Sequence, residues 1–145
     1  MDEFLIPHAN FKRLYEEFKK YGSLSIGLDF DNTISDFHQK GYSYDTVISL
    51  VKRAHALGMS IHIFTANPDH VLVKEHCEKI GLTIAGINTD GVDLGWPSRK
   101  PFYSLLLDDR AGLISAAEDL SMLVHELEME AIDALPFDDT LHQSN

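Results

Sequence analysis

Two aspartates separated by one residue are the first candidates for chemistry along the chain. Asp29 and Asp31 directly follow the apolar stretch 23–28. Side chains two residues apart in an extended chain lie on the same side, so the two carboxylates are expected close together. Two neighbouring carboxylates are comfortably ionised only when a cation lies between them; otherwise one of them keeps its proton. The pair therefore indicates either a magnesium site or a general acid.

Polar residues also follow two other apolar stretches. Thr65 comes directly after 60–64, and Asp108 and Asp109 come directly after 103–107. The carboxyl ends of parallel strands lie at one edge of a sheet, so four carboxylates and a hydroxyl are expected to converge there. A single Asp-rich turn is explained by the turn-forming preference of Asp and Asn. Three strand ends of this kind favour a functional site over turn chemistry.

The elements that would position these residues are alternating strands and helices. Asn10 is expected to cap the first helix and Gly22 to end it. The alternation predicts a parallel α/β sheet with helices on both faces. A length of 145 residues with one cysteine, Cys77, fits a single globular domain without a disulfide framework. The pattern predicts strands at 23–28, 60–64, 82–87 and 103–107, and helices at 10–21, 45–57, about 68–80 and about 110–135.

Charge is unevenly distributed and excludes one class of partner. The formal net charge is −11, all 12 basic residues lie at or before Arg110, and residues 111–145 carry eight acidic residues and no basic one. The phosphates of a long duplex would repel such a surface, so no extended nucleic-acid groove is expected. A small phosphorylated ligand held beside a cation remains compatible with this charge.

The ends of the chain and its hydropathy predict a location. The start at residues 1–3, Met-Asp-Glu, is acidic where a secretory signal would be basic, and no apolar run reaches the length of a membrane span. We therefore expect a soluble, cytoplasmic protein with no membrane partner.

Four motifs resemble those of the haloacid dehalogenase-like (HAD) hydrolases. Residues 27–34, Gly-Leu-Asp-Phe-Asp-Asn-Thr-Ile, look like the first motif, and residues 63–65, Ile-Phe-Thr, look like the second. Lys100 would be the third motif, and residues 107–109, Leu-Asp-Asp, look like the fourth. The four occur in the family's order.

The resemblance also implies an architecture. A Rossmann-like three-layer sandwich with sheet order 3-2-1-4 would form one HAD-like domain. Its core would span 22–110, with an N-terminal helix at 10–21, a C-terminal helix at about 111–135 and an acidic tail at 136–145.

By this resemblance the aspartates divide into two roles. Asp29 would be the nucleophile that forms an aspartyl-phosphate, and Asp31 would protonate the leaving oxygen and later accept a proton from water. Mg²⁺ would be bound by the Asp29 carboxylate, the Asp31 carbonyl oxygen and Asp108. Asp109 would bind the ion through water or orient a ligand.

The phosphoryl oxygens would have their own ligands, again by resemblance: Thr65, the backbone amides of Ala66 and Asn67, and Lys100. Only seven residues separate Lys100 from Asp108, which leaves no space for the helix often found there. Arg99 and Arg110 therefore stay open as substitutes for the basic role.

The gaps between the motifs predict an open site. Only 11 residues separate Thr33 from the helix beginning near Asp45, and 34 separate Thr65 from Lys100, so neither gap can contain a cap domain. Aromatic residues near the entrance would either line it or anchor loops to the core. These residues are Phe37, Tyr42 and Trp96.

Together these features predict a capless magnesium-dependent phosphatase acting on a nucleotide or another small phosphorylated metabolite. A polynucleotide 3′-phosphatase is one alternative, because residues 107–110, Leu-Asp-Asp-Arg, resemble such enzymes too. A non-catalytic binding or scaffold protein of the same fold is the other.

Two further expectations concern residues outside the motifs. His62, within a strand, is expected to be a core residue with its hydrogen bonds satisfied. The last helix follows a heptad, which predicts either packing on its own sheet or a homo-oligomer contact. The heptad positions are Leu113, Ala117, Leu120, Val124, Leu127, Ala131 and Ala134.

Overall fold

The structure is a computed structural model that describes residues 2–135, so the predicted acidic tail at 136–145 lies outside the described residues. A short 3-10 helix at Glu3–Leu5 precedes the main elements. In chain order these are α1 (Ala9–Tyr21), β1 (Ser25–Leu28), α2 (Asp45–Ala56), β2 (Ser60–Ile63), α3 (His70–Lys79), β3 (Gly86–Ile87), β4 (Leu105–Leu107) and α4 (Leu113–Asp133).

The four strands form one parallel sheet in the order β3-β2-β1-β4. The predicted sheet order and the Rossmann-like α/β class are therefore confirmed. Strand β3 is shorter than the predicted 82–87, because Leu82 donates its amide to Cys77 at the end of α3 and is buried there. Only Gly86 and Ile87 pair with β2 as a strand.

One face of the sheet carries the hydrophobic core. Alternate residues of the three longer strands lie buried on this face, as the two-residue period of a strand requires. Helix α4 contacts α1, α2 and β4, and its buried residues join the same cluster. The strand residues are Ile26, Leu28, Ile61, Ile63, Leu105 and Leu107.

The central heptad residues of α4 pack within the hydrophobic core of the same chain. These residues, Leu120, Val124 and Leu127, are buried in the core cluster. The large apolar residues of this helix that are exposed, which include Ile114 and Ile132, lie outside the heptad. In the described residues, α4 therefore packs on its own chain, which is one of the two predicted alternatives. The homo-oligomer contact stays a prediction.

The opposite face includes Ser25, Gly27 and His62, and residues of the segment 88–104 contact it at these positions. Tyr103 lies so close to Gly27 that a Cβ on this glycine would be 2.4 Å from Tyr103 Cδ2. Its hydroxyl donates to the carbonyl oxygen of Thr89 (2.9 Å). Glycine in β1 thus allows this segment to pack directly on the sheet.

His62 lies under this segment and has hydrogen-bonding partners on both ring nitrogens, as expected. Nδ1 is 3.3 Å from Thr89 Oγ1, and Nε2 is 3.2 Å from Ser60 Oγ. Burial lowers the pKa of the imidazole. A neutral ring accepts at one nitrogen and donates at the other, which suits two hydroxyl partners.

The first helix differs from the prediction at one end. His8, with φ of 61°, is the residue before the helix, and Asn10 lies inside it with its side chain accepting from Arg13 Nη2 (2.6 Å). The prediction of Asn10 as cap was wrong because the helix begins one residue earlier, at Ala9. Gly22 ends it in the left-handed conformation, with its amide donating to Phe18, as predicted.

Within residues 2–135, none of the helices has the length and hydropathy needed to cross a bilayer.

We expect Gly27→Ala to lower the free energy of unfolding by about 1–3 kcal/mol, because the new methyl group collides with the Tyr103 ring. Urea denaturation measures this loss. In a Tyr103→Ala background the same substitution should cost clearly less, since the colliding ring is gone. Equal costs in both backgrounds would contradict the packing described.

Candidate functional site

Three carboxylates gather at the carboxyl edge of the sheet. Oxygen atoms of Asp29, Asp108 and Asp109 all lie within 4.8 Å of one another. The cause is the pairing of β1 with β4, in which Leu28 lies opposite Leu107. Beyond this pair, the Asp29 amide still donates to the Leu107 carbonyl oxygen at 2.8 Å. The two chains therefore leave the sheet side by side, and each delivers acidic residues.

Thr33 connects the two acidic segments. Its side chain is fully buried, and its hydroxyl donates to Asp29 Oδ2 (3.0 Å). Thr33 Oγ1 in turn accepts from the Asp109 amide (3.3 Å). The chain returns to this place through a tight turn in which Asn32 has a φ of 63°. Asparagine adopts this left-handed conformation more readily than most residues. The turn thus places a hydroxyl donor against the Asp29 carboxylate.

The carboxylate of Asp29 has an unusual pKa. Burial, together with the charge of Asp108 and a hydrogen-bond contact with Asp109, raises this pKa to about 6, against the lowering effect of hydrogen bonds from Thr33 and the Phe30 amide. A half-buried carboxyl among other acids is more stable protonated, or beside a cation, than as a bare anion. Asp108 is already partly engaged, because one of its oxygens accepts from the Arg110 amide at 2.8 Å.

Asp31 stands apart from the three-carboxylate cluster. It lines the same cavity, but its nearest side-chain partner is the carboxamide of Asn67, with Nδ2 3.5 Å from Asp31 Oδ1. The first motif thus provides one carboxylate inside the cluster and one outside it. Such a division allows two acids in one cavity to perform different tasks.

The second strand end provides a buried hydroxyl. Thr65 is 8% exposed and lines the cavity together with Ala66. The amide of Asn67, predicted to bind a phosphoryl oxygen, donates instead to Thr65 Oγ1 (3.0 Å) in this structure. Asn67 also accepts from the Asp69 amide (2.9 Å), and Asp69 caps α3. The turn after β2 is thereby tied to the start of α3.

Residues at the carboxyl ends of β1, β2 and β4 surround one cavity of about 460 Å³. Arg110 is the one basic residue that lines it among the described residues. Lys100 and Arg99 are exposed in the segment 88–104 and are not among the lining residues, so of the three candidates for the basic role only Arg110 lines the cavity. The lining residues are Asp29, Asp31, Asn32, Phe64, Thr65, Ala66, Asp108, Asp109 and Arg110.

The aromatic residues considered for the entrance do not line this cavity. Phe37, Tyr42 and Trp96 are between 59% and 66% exposed, and none of them belongs to the lining set. The cavity has one aromatic wall of its own, Phe64, which packs against Tyr103 with ring centroids 6.0 Å apart. No helix or strand lies between β1 and α2 except an isolated bridge between residues 31 and 35, so no cap domain is inserted there.

Asn88 bonds to a residue of the site and was not predicted from the sequence. Its Oδ1 accepts from the Thr65 amide (2.8 Å), and its Nδ2 donates to the Thr65 carbonyl oxygen (2.9 Å). The signal was present, since Asn88 is the polar residue directly after the predicted strand 82–87. The rule that identified the other strand ends would have identified this one as well.

Comparisons with known proteins address the fold. No protein-family model matches the sequence, and no curated protein matches it. Among solved structures, the chain is similar to one titled "Structure of the conserved protein coded by locus from Bacteroides thetaiotaomicron". The two are 21% identical with a TM-score of 0.55, and the match covers 74% of this chain and 92% of the other. At this identity the likeness shows a shared fold, a parallel α/β sheet, and nothing about activity.

We expect Asp29→Asn to stabilise the metal-free protein above pH 6. The folded protein holds the Asp29 proton up to a pKa of about 6, whereas an unfolded chain releases it near the ordinary value of 3.8. The proton's stabilising effect is thus complete below pH 3.8 and is lost as the pH rises through 6. The neutral amide should therefore be more stable than wild type at pH 8, by roughly 1–2 kcal/mol, and about equal at pH 4.

Thermal denaturation in a chelator at several pH values measures this difference. Glu118→Gln, which removes an exposed carboxylate from α4, is the matched control and should show no such pH dependence. A variant less stable than wild type by the same amount at every pH would contradict the cause given for the raised pKa.

Proposed function

We propose that this protein is a magnesium-dependent phosphomonoester hydrolase that works through an aspartyl-phosphate at Asp29. The observation that carries the proposal is the division of the carboxylates in one cavity. Asp29 lies in a cluster of three acids, Asp31 lies outside it, and the buried hydroxyl of Thr65 lines the same space. The resemblance of these strand ends to the HAD motifs supports the same assignment.

The donor set fits Mg²⁺. All three clustered side chains are carboxylates, and hard oxygen ligands are those that Mg²⁺ prefers. Asp29 and Asp108 would hold the ion together with the carbonyl oxygen of Asp31, and Asp109 would contact it through water. When bound, Mg²⁺ supplies the positive charge that brings an anionic nucleophile and an anionic phosphoryl group together. This charge also favours the ionised form of Asp29, which the metal-free cluster disfavours.

Asp29 and Asp31 would then divide the reaction between them. A carboxylate oxygen of Asp29 forms a bond to phosphorus while the bond from phosphorus to the ester oxygen breaks. The carboxyl of Asp31 gives its proton to that leaving oxygen. In the second half, a water oxygen attacks the same phosphorus, its proton passes to Asp31, and the bond to Asp29 breaks to release phosphate. Asp31 suits this proton transfer because it lies outside the three-carboxylate cluster.

The phosphoryl oxygens need donors that the carboxylates do not provide. The Thr65 hydroxyl and the Ala66 amide would donate to them from the β2 side of the cavity. Arg110 would supply the positive charge from the β4 side, in the place first predicted for Lys100. A small phosphorylated metabolite such as a nucleotide is the proposed substrate class.

We expect Asp31→Asn to separate the two halves of the reaction. The variant should lose at least about 10²-fold in turnover of an alkyl phosphate, whose leaving oxygen needs a proton. An aryl phosphate leaves without much help, so the Asp29 phosphoenzyme should still form and then accumulate. Acid quenching followed by mass spectrometry detects it on the peptide that contains Asp29.

Asp29→Asn should abolish both turnover and phosphoenzyme, and Glu118→Gln should keep wild-type rates. Wild-type protein without magnesium-dependent hydrolysis of any phosphomonoester would overturn the proposed function and favour the non-catalytic alternative. Turnover that survives unchanged in Asp29→Asn would overturn the assignment of the nucleophile.

The substrate class is tested by comparing kcat/KM at fixed salt for nucleoside monophosphates, sugar phosphates and 3′-phosphorylated oligonucleotides. We expect the small phosphates to be preferred, because the chain is strongly acidic and Arg110 is the one basic residue that lines the cavity in the part of the chain that the structure describes. A preference for the oligonucleotides that grows with their length would favour the polynucleotide phosphatase instead.

A further inference from the structure

We propose that Asn88 is a positioning residue of this site: its side chain holds the backbone of Thr65 and thereby sets the hydroxyl that binds the phosphoryl group. The inference rests on the proposed function and adds to it a residue that directly follows β3, the strand that carries no part of the four motifs.

The contact is a paired hydrogen bond between a side chain and a peptide group. Asn88 Oδ1 accepts from the Thr65 amide at 2.8 Å, and Asn88 Nδ2 donates to the Thr65 carbonyl oxygen at 2.9 Å. The Asn88 amide itself donates to the Ile63 carbonyl oxygen at 2.7 Å. Three hydrogen bonds thus continue the pairing of β2 with β3 beyond the last residue of β3, Ile87.

The conformation of Asn88 explains why asparagine serves this purpose. Its φ of 54° is left-handed, so the main chain turns away from the sheet here, while the side chain takes the place of the next strand residue. Asparagine tolerates this conformation, and its carboxamide carries one acceptor and one donor side, like a peptide group. Glycine would keep the turn without the bonds, and aspartate would keep the acceptor without the donor.

The neighbouring residue fixes the position of Asn88. Thr89 bonds to the buried His62 ring through Oγ1 (3.3 Å), and its carbonyl oxygen accepts from the Tyr103 hydroxyl (2.9 Å). The segment 88–104 is thus held on the polar face of the sheet at the point where Asn88 enters the site. A side chain held in this way loses little freedom when it bonds to Thr65.

The bonds from Asn88 determine the position of the Thr65 side chain. With its amide and carbonyl oxygen both bonded to Asn88, Thr65 has a fixed backbone at the end of β2. Its Oγ1 accepts from the Asn67 amide (3.0 Å), so its own proton is available to a phosphoryl oxygen in the cavity. An error of about 1 Å in such a group can cost on the order of 10²-fold in rate.

The clustered acids are positioned by other elements. Asp29, Asp108 and Asp109 follow β1 and β4, whereas Asn88 follows β3, on the far side of β2. A change at Asn88 should therefore weaken phosphate contacts and leave magnesium binding nearly unchanged. This separation distinguishes positioning from a general loss of structure.

The first test is Asn88→Gly, which keeps the left-handed backbone and removes only the two side-chain bonds. We expect kcat/KM for an aryl phosphate to fall roughly 10–100-fold and the inhibition constant of inorganic phosphate to rise by a similar factor. The magnesium concentration for half-maximal activity should change less than about twofold if the cluster is untouched. An unchanged kcat/KM would overturn the positioning role.

A double-mutant cycle with Thr65→Ala shows whether the effect passes through the Thr65 hydroxyl. In the Thr65→Ala background, Asn88→Gly should have little further effect, because the group that it positions is gone. The same fold-loss in both backgrounds would overturn the proposal while leaving the phosphatase assignment intact. Wild-type protein without phosphatase activity would overturn both, so the two failures are distinguishable.

Asn88→Asp adds a pH signature that a merely structural role would not produce. A protonated carboxyl has one donor and one acceptor, as the carboxamide does, whereas the ionised form only accepts and faces the Thr65 carbonyl oxygen. The ratio of variant to wild-type kcat/KM should therefore rise several-fold as the pH falls below the carboxyl pKa. A ratio that is the same at every pH would contradict the need for the donor.

Discussion

The close approach of three carboxylates is the constraint on which this structure depends. Strands β1 and β4 pair in register, and their carboxyl ends bring Asp29 and Asp108 together whatever the charge on either. Within residues 2–135, no lysine or arginine side chain forms an ion pair with these carboxylates; instead, the Thr33 hydroxyl donates to Asp29 and the Arg110 amide donates to Asp108. A proton or a cation must neutralise the rest of the negative charge of the cluster. This requirement connects the fold to the proposed chemistry.

The two faces of the sheet contribute differently to the site: one stabilises the strands, and the other positions a residue beside the cavity. The apolar face, covered by α1, α2 and α4, provides the buried area that holds the strands in register against the repulsion of the acids. The polar face contributes less apolar burial and is held by specific contacts, such as Tyr103 on Gly27 and the hydroxyl partners of His62. Those contacts hold Asn88 at the position where it bonds to Thr65. Stability and positioning are therefore supplied from opposite sides of the same four strands.

The predictions from sequence succeeded where local pattern and backbone geometry agree. Strand ends marked by Asp29, Thr65 and Asp108 are local features, and parallel strands must bring such ends to one edge. The predictions were less successful where long-range packing decides. The extent of β3 depends on Leu82 joining the end of α3, and the position of Lys100 outside the lining of the cavity depends on the path of the segment 88–104. Neither has a periodic signal in the chain.

The sequence by itself determined the class of the fold and the acidic character of one sheet edge, because hydrophobic periodicity and strand-end residues are properties of short segments. The order of the strands was expected only from the resemblance of the motifs to those of the HAD hydrolases. Only the tertiary structure decided which acids cluster and which stands apart, and that the Asn67 amide bonds to Thr65 while Asn88 holds the Thr65 backbone. The physical reason is that hydrogen bonds and charge interactions depend on distances of a few ångströms between residues far apart in the chain. Such distances are set by the packing of whole elements on one another.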